Sequence, residues 1–246
     1  MGSTLTSCQL LGFDVDVKVE RQLLEAMDAL ARHLTPLVSN WAIVGGCALK
    51  MQGVPRETDD VDIVVRYIGN PVRGFNHANN VVLNLINIDR NVWSSVADNS
   101  FQPPKLRLYF RALVKIDLIH ADMTPSKGYS MTSANTVLYQ LPPPFTTTVR
   151  CFTLEWLLLD KTRTYSERAQ EFKRAKDLTD AGRSAKILVD TGRTKVYRGE
   201  PSDPTPEFPV VRDEAFERVR ADLGRARRTR AQAAAFSQLD VSYHHR

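Results

Sequence analysis

Two aspartates and two glycines lie close enough in the chain to form a site for a metal ion and a phosphate group. Residues 44–65 read VGGCALKMQGVPRETDDVDIVV, in which a short apolar strand breaks at Gly45-Gly46. Because side chains alternate across a strand, Asp60 and Asp62 project from one face and Val61 from the other. Carboxylate oxygens are hard ligands for Mg²⁺, and glycines let a backbone approach a phosphate closely. The pattern therefore predicts phosphoryl chemistry.

A further carboxylate would complete such a site, and Asp117 is the candidate for it. Asp117 breaks the β-type run Val114-Lys-Ile-Asp-Leu-Ile and is opposite in phase to its apolar neighbours. An isolated acid in a strand is more often an exposed surface residue, so this assignment depends on Asp60 and Asp62. Asp59 points away from Asp60 by the same alternation and is interpreted as a turn or capping residue.

The elements that must position these residues are predicted from periodicity. An amphipathic helix precedes the glycines, because apolar residues recur there at intervals of three and four. A short helix follows the glycines and is closed by Gly53, since Val54-Pro55 cannot continue it. The aspartate pair opens the next strand. The predicted ranges are strands at 41–44, 60–66, 105–110 and 113–119, and helices at 19–38, 46–52 and 79–88.

The C-terminal part of the chain is predicted to be helical. The segment Leu141-Pro-Pro-Pro-Phe fixes an extended connector, so it divides a core at residues 1–145 from a helical domain at 146–246. Thr153 is suited to cap the first helix of this domain. Two further helices are predicted. One at 166–181 ends at Gly182 and carries Ala169, Phe172, Ala175 and Leu178 on one side, which is expected to be buried, and the other, at 213–236, is rich in Ala and Arg.

The resulting fold class is α+β, with a short mixed β-sheet flanked by helices and followed by a C-terminal helical region. The residues around the aspartate pair resemble the nucleotidyltransferase superfamily, which has a polymerase-β-like fold. Within it, the resemblance is to the minor branches, those of AbiEii-like toxins and antibiotic nucleotidyltransferases. It covers residues 38–121. The matching residues are Gly45, Gly46, Cys47-Ala48-Leu49, Gly53, Arg56-x-Thr58, Asp60-Val61-Asp62 and Asp117.

The resemblance implies that a nucleoside monophosphate is transferred from a nucleoside triphosphate, ATP among the candidates, to an acceptor hydroxyl. Two Mg²⁺ ions are implied, one at Asp60 and Asp62, and a second near Asp117 that lowers the pKa of the acceptor hydroxyl. Asp117 could instead act directly as a general base. The implied catalytic and metal-binding residues are Asp60, Asp62 and Asp117. The implied nucleotide-binding residues are Gly45, Gly46, Arg56, Thr58, Lys161 and Lys176.

Structural roles fit the basic residues of this set equally well. Arg56 lies in a polar loop. Lys161 and the later run Arg174-Ala-Lys176-Asp177 resemble a lysine and an Arg-x-Lys-Asp cluster on family helices that close over the nucleotide. A charged outer helix face, with pairs such as Lys173 with Asp177, explains the same residues, and Lys176-Asp177 could also brace two domains.

The segment from Gly69 to Pro104 is longer and richer in asparagine than the family core requires, and we interpret it as a substrate-side insertion. The acceptor is therefore left unidentified.

Charge and composition limit the partners. The net charge of +5 equals the excess of six arginines over one acid between Arg218 and Arg230. This helix could bind a nucleic acid, but a solvated helix face is favoured because no aromatic residues are interleaved. Three cysteines without a paired spacing predict an intracellular, cytoplasmic protein. No apolar run approaches the roughly 20 residues that span a bilayer, so no membrane partner is expected.

Three functions therefore fit the sequence. The first is an active nucleotidyltransferase whose acceptor is a small molecule, a protein or an RNA. The second is a catalytically silent member of the fold that binds a nucleotide or a partner protein. The third is an enzyme of different chemistry on the same scaffold, in which the carboxylates act as general acid or base. The intact set of three carboxylates favours the first function.

Overall fold

The computed structural model describes residues 17–68, 76–121, 129–203, 206–225 and 229–244. Contacts divide the chain into two compact units. The sheet unit takes its described residues from Met1–Ala48, Glu57–Asp122 and Val137–Cys151, and the helical unit from Leu49–Arg56, Met123–Thr136 and Phe152–Arg246. Both units are therefore discontinuous in sequence. The single division at residues 145 and 146 stays a prediction.

Seven strands form one mixed sheet. They are β1 (Val38–Val44), β2 (Asp60–Tyr67), β3 (Trp93–Asp98), β4 (Lys105–Phe110), β5 (Val114–His120), β6 (Thr136–Gln140) and β7 (Thr148–Phe152). Their order across the sheet is β3-β4-β5-β2-β1-β7-β6. Strand β2 lies antiparallel to β1 and parallel to β5. Together with the helices described below, this mixed sheet confirms the predicted α+β class.

Alternation along β2 and β5 places apolar and acidic residues on opposite faces of the sheet. Val61, Ile63, Ile116 and Leu118 are buried. The helix α1 (Val17–His33) contacts both strands, and α3 (Asn76–Ile88) contacts β3 and β4. Burial of the apolar residues in this core drives the sheet to form with its acids on the other face.

The first predicted helix ends earlier than expected. It stops at His33, because Pro36 lies in the short 3-10 turn Thr35–Leu37 that follows, and β1 then begins at Val38. The short helix α2 (Gly45–Met51) follows β1 directly. Gly53 adopts a φ of 84°, which ends this region as predicted.

The segment interpreted as an insertion contributes two elements to the sheet unit. It contains the helix α3, which was predicted at 79–88, and the strand β3, which periodicity did not predict. Trp93 of β3 is 1% exposed, and its indole N–H donates a hydrogen bond of 2.9 Å to His33. The elements α3 and β3 therefore belong to the sheet unit and bury Val82, Leu85 and Trp93, while residues 69–75 lie outside the described residues.

The helical unit contains four helices and a two-stranded parallel sheet among its described residues. The helices are α4 (Leu154–Glu167), α5 (Glu171–Asp190), α6 (Asp213–Arg225) and α7 (Arg230–Ser237), and the strands are β8 (Lys195–Arg198) and β9 (Asp240–Tyr243). Thr153 caps α4 as predicted, because its hydroxyl oxygen accepts a hydrogen bond from the Trp156 amide. Neither short strand was predicted.

The helix α5 differs from its predicted range and orientation. It does not end at Gly182 but continues to Asp190. Glycine suits this position because it packs closely against α6, where a Cβ would lie 2.8 Å from a Leu223 methyl carbon. Phe172, expected on the buried side, is 71% exposed. The buried side instead carries Asp177 and Asp180. Their ion pairs cannot be recognised from the spacing of apolar residues.

The prediction of one terminal helix is wrong, because α6 ends at Arg225 and α7 begins at Arg230. Residues 226–228 lie outside the described residues. Arg220 and Arg225 form ion pairs of 2.7 and 2.5 Å with acids of α6, as a solvated helix face would. In the described part of the chain, none of the helices combines the length and apolarity required to cross a membrane.

Candidate active site

Three carboxylates converge on the polar face of the sheet. Asp60, Asp62 and Asp117 each offer one oxygen, and these oxygens lie within 4.8 Å of one another. The register explains the cluster, since parallel pairing sets Asp62 opposite Asp117 and Asp60 opposite Lys115. All three are half-buried. Hard oxygen donors in this arrangement fit a divalent cation such as Mg²⁺.

The absence of a side chain at Gly45 leaves space for the carboxylate of Asp62. Its φ is +69°, a conformation that residues with a side chain rarely adopt. A Cβ at this position would also meet Asp62 Oδ2 at 2.1 Å. The glycine therefore serves the carboxylate cluster directly, in addition to any contact its backbone makes with phosphate. Gly46, the next residue of α2, is buried.

Thr58 holds Asp60 in place. The Thr58 hydroxyl donates a hydrogen bond of 3.0 Å to Asp60 Oδ1. Thr58 itself is 8% exposed, so its side chain is fixed by packing. Asp59 is exposed, and its interpretation as a turn or capping residue stays a prediction. The structure therefore gives Thr58 a contact with a carboxylate, whereas its predicted contact with nucleotide stays a prediction.

Among the described residues, Lys115 brings a positive charge to the cluster, and the sequence interpretation missed it. Its ammonium group forms an ion pair and hydrogen bond with Asp117 Oδ2. Partial burial opposes its charge, but the hydrogen bond to Asp117 and the fields of Asp60 and Asp62 prevail and raise the pKa of Lys115. A signal was present in the sequence, since Lys115 stands two residues before Asp117 and must share its face.

Arg56 lies in the helical unit and forms an ion pair with Asp180 of α5. The two side chains are 12% and 2% exposed. Burial raises the pKa of Asp180, although the charges of Arg56 and Lys161 oppose this shift. The guanidinium that the sequence assigned to phosphate is therefore already engaged by a carboxylate.

Lys161 is engaged in the same way. Its ammonium group donates a hydrogen bond of 3.2 Å to Asp177, and the two side chains are 6% and 2% exposed. Arg168 lies 3.1 Å from the other oxygen of Asp177. Asp177 is thus buried and is not the partner of Lys173 on an outer helix face. The alternative that relied on this pair is wrong. Lys176, by contrast, is exposed on α5.

The structure thus groups seven of the nine predicted site residues in two places. Within the sheet unit, the three aspartates lie together with Gly45 and Thr58. Within the helical unit, Arg56 and Lys161 belong to a buried network of charges, whose other members are Arg168, Asp177 and Asp180. Their roles toward metal and nucleotide stay predictions.

The fold is that of nucleotidyltransferase-like proteins. The chain resembles the crystal structure of an antigenic nucleotidyltransferase-like protein from Paracoccidioides brasiliensis, with a TM-score of 0.58 and 18% sequence identity over 89% of this chain and 94% of that chain. It also resembles ANT(2″)-Ia in complex with adenylyl-2″-tobramycin, with a TM-score of 0.42 and 12% identity over 71% and 92% of the two chains. No curated protein matches the sequence.

The family is shown by a match to the nucleotidyl transferase AbiEii toxin of type IV TA systems. The match spans residues 28–240, far more than half of the chain. The protein belongs to this family and is a nucleotidyltransferase. The resemblance predicted from the glycine pair and the aspartates is therefore confirmed.

Proposed function

We propose that the protein transfers a nucleoside monophosphate from a nucleoside triphosphate to a hydroxyl of an acceptor, with Mg²⁺ bound at Asp60, Asp62 and Asp117. The observation that supports this most is the convergence of the three carboxylates on two paired strands. Membership of a nucleotidyltransferase family supports the reaction class. When bound, Mg²⁺ would neutralise charge on the phosphates and orient the phosphorus that is attacked.

The side chains around the cluster have separate tasks in this reaction. Asp60, Asp62 and Asp117 would hold the metal, Thr58 orients Asp60, and Gly45 leaves room for Asp62. The acceptor oxygen forms a bond to the α-phosphorus, the bond from that phosphorus to the β-phosphate oxygen breaks, and pyrophosphate leaves. The proton of the acceptor hydroxyl passes to Asp117, which acts as general base.

Nucleotide contacts are proposed for the backbone at Gly45 and Gly46 and for Arg56, Lys161 and Lys176. For Arg56 and Lys161, a phosphate would have to compete with Asp180 and Asp177 for the same cations. Lys176 is exposed and needs no such exchange.

The acceptor is a small molecule, a protein or an RNA. An RNA acceptor that used the arginines of α6 would bind with strong salt dependence, in proportion to the phosphates neutralised. Two of those arginines already pair with acids, which favours one of the other acceptors.

Cys47 and Cys151 are buried thiols, in agreement with a reducing cytoplasm.

The proposal is tested by calorimetric titration of the full chain with ATP, CTP, GTP and UTP, with and without Mg²⁺. Pyrophosphate release is then measured with candidate acceptors. The informative variants are Asp60→Asn and Asp62→Asn, which keep size and remove charge. Asp59→Asn is the matched control, because Asp59 is an adjacent but exposed acid.

We expect Mg²⁺-dependent binding of at least one nucleotide, lost in both test variants and kept in the control. Absence of metal-dependent binding by the wild-type chain would refute the proposal. Binding that survives Asp62→Asn would refute the location of the site. Binding without pyrophosphate release, with every acceptor class, would instead support a catalytically silent nucleotide-binding protein.

A further inference from the structure

A row of side chains runs from the carboxylate cluster to an outer strand of the sheet. Asp60 of β2 lies opposite Lys115 of β5. Tyr109 of β4 lies opposite Lys115 on one side and opposite Ser94 of β3 on the other. Residues directly opposite in paired strands share a face of the sheet. The face that carries the carboxylates therefore continues over β4 and β3, within the sheet unit.

The segment interpreted as a substrate-side insertion supplies the far end of this row. The strand β3 belongs to that segment and lies at the edge of the sheet. Neighbouring strands lie about 4.8 Å apart, so Ser94 is about 10 Å from Lys115 along the row. This distance suits a ligand of the size of a nucleoside or a disaccharide, whose near end would reach Asp117.

An extended peptide on the free edge of β3 does not fit the same geometry. A strand added there would lie three strand spacings from β5, or about 14 Å. A serine or tyrosine hydroxyl of such a peptide could not reach Asp117 across β4 and β3. The row therefore favours a compact acceptor that lies on the face of the sheet.

The side chains that this face offers to a ligand are uncharged. Tyr109 and Ser94 are half-buried, and in the described part of the chain neither side chain has a hydrogen-bond partner. Val96 shares their face by alternation and is 59% exposed. Together they provide an aromatic ring, two hydroxyl groups and exposed methyl groups. A tyrosine combines an apolar ring with a polar tip, which suits a ligand that is itself partly apolar.

The charged side chains near them lie beside acids. Arg107 donates a hydrogen bond of 3.0 Å to Asp98, and Lys115 pairs with Asp117. Lys105 also lies opposite Asp98, at the end of β4 that is further from Lys115. Because charge complementarity determines which partners bind, this part of the face favours an uncharged ligand over a polyanion or a polycation.

We propose that Tyr109, Ser94 and Val96 bind the acceptor, and that the acceptor is an uncharged sugar compound, either a free saccharide or a nucleoside. This inference rests on the proposed function, because the sugar hydroxyl that is modified must lie at Asp117. The ring of Tyr109 covers the apolar face of the sugar. The hydroxyl groups of Tyr109 and Ser94 form hydrogen bonds with the sugar hydroxyls, and Val96 borders the ligand.

The first test measures binding directly. Saturation-transfer difference NMR is recorded on the full chain with maltose, sucrose, adenosine and cytidine as neutral probes, and with a polycationic aminoglycoside and an RNA oligonucleotide as charged probes. Each probe is measured alone and with Mg²⁺ and an α,β-methylene analogue of the nucleotide that binds. The saccharide and nucleoside arms distinguish the two sources of a neutral sugar. The KM of each bound probe is then measured by pyrophosphate release.

The informative variants alter the face without touching the carboxylates. Tyr109→Ala removes the ring, Tyr109→Phe removes only the hydroxyl, and Val96→Glu adds a charge. Leu138→Glu is the matched control for Val96→Glu. Leu138 is likewise an exposed apolar residue, at 68%, and it lies on β6 at the opposite edge of the sheet.

We expect at least one neutral probe to bind and to be modified. Tyr109→Ala and Val96→Glu should each raise its KM by at least about tenfold, which corresponds to about 1.4 kcal/mol. Tyr109→Phe should have a smaller effect, and Leu138→Glu none. The Mg²⁺-dependent affinity for nucleotide should be unchanged in all four variants. Circular dichroism establishes folding, and Val96→Glu decides if Tyr109→Ala does not fold.

Two results would overturn the inference and leave the proposed function intact. One is pyrophosphate release with the aminoglycoside or the RNA but with no neutral probe. The other is a neutral acceptor whose KM is the same in the wild type and in folded Tyr109→Ala and Val96→Glu chains. A wild-type chain without Mg²⁺-dependent nucleotide binding would instead refute the proposed function, and the inference with it.

Discussion

The substitution Gly45→Ala should separate the stability of the fold from the integrity of the metal site. Gly45 combines a φ of +69° with a carboxylate oxygen 2.1 Å from the position of a Cβ. The left-handed conformation by itself costs a residue with a side chain about 1–2 kcal/mol. At 2.1 Å the oxygen cannot stay, so the Asp62 carboxylate must rotate away from Asp60 and Asp117.

Gly192→Ala is a matched control for this substitution. Gly192 has a φ of +73°, but nothing lies within 4 Å of the Cβ that it would gain. It therefore has the same backbone penalty without the displaced carboxylate. In a protein of this size, about 1–2 kcal/mol corresponds to a fall in Tm of about 2–8 °C.

Differential scanning fluorimetry and Mn²⁺ titration measure the two effects. Both variants should unfold at a lower temperature than the wild type. Only Gly45→Ala should lose Mn²⁺ affinity, by at least about tenfold, which corresponds to about 1.4 kcal/mol of lost binding free energy. The reasoning is refuted if Gly45→Ala binds Mn²⁺ as tightly as the wild type, or if Gly192→Ala weakens binding equally.

Three further predictions concern the stability of the fold. Lys161→Met should lower the free energy of unfolding by about 3–5 kcal/mol in urea titrations, because it leaves the buried Asp177 with one cation fewer. Gly182→Ala should cost about 1–3 kcal/mol through overpacking, whereas Gly224→Ala, where the new Cβ meets open space, should not destabilise the chain. The pKa of Asp98 is lowered from 3.8 to about 2 by hydrogen bonds from Ser100 and Arg107, so its contribution to stability should be present above pH 3.8 and disappear as the pH falls through about 2.

Each of these predictions has a distinct control. The double variant Lys161→Met, Asp177→Leu should recover part of the loss, since the buried carboxylate that lost the charge of Lys161 is then removed as well, and an additive loss would contradict the argument. Equal effects of Gly182→Ala and Gly224→Ala would show that helix propensity outweighs packing. For Asp98, the difference in Tm between wild type and Asp98→Asn should vanish near pH 2, and a difference independent of pH would contradict the pKa argument.

The local part of the structure could be predicted from the sequence because it depends on neighbouring residues. Alternation along 60–66 predicts that Asp60 and Asp62 share a face, and Gly53 and Thr153 are found at the helix ends where their chemistry suits them. The glycine and aspartate pattern also sufficed to name the family that the sequence match shows.

Other features required partners that are distant in sequence. The strand β3 forms because β4 supplies its hydrogen bonds and Trp93 finds a buried position near His33, and neither depends on local alternation. The helix α5 buries Asp177 and Asp180, since cations from elsewhere in the helical unit neutralise them. The spacing of apolar residues does not reveal such ion pairs, so it predicted the wrong buried face for α5.

The candidate site shows both kinds of information. The sequence by itself determined the types of residue, the shared face of Asp60 and Asp62, and the phase of Asp117. Only the tertiary structure decided that β2 and β5 pair in the register that sets Asp62 opposite Asp117 and brings Lys115 into the cluster. Strand register is fixed by the whole buried face of a sheet, and a short stretch of one strand does not contain it.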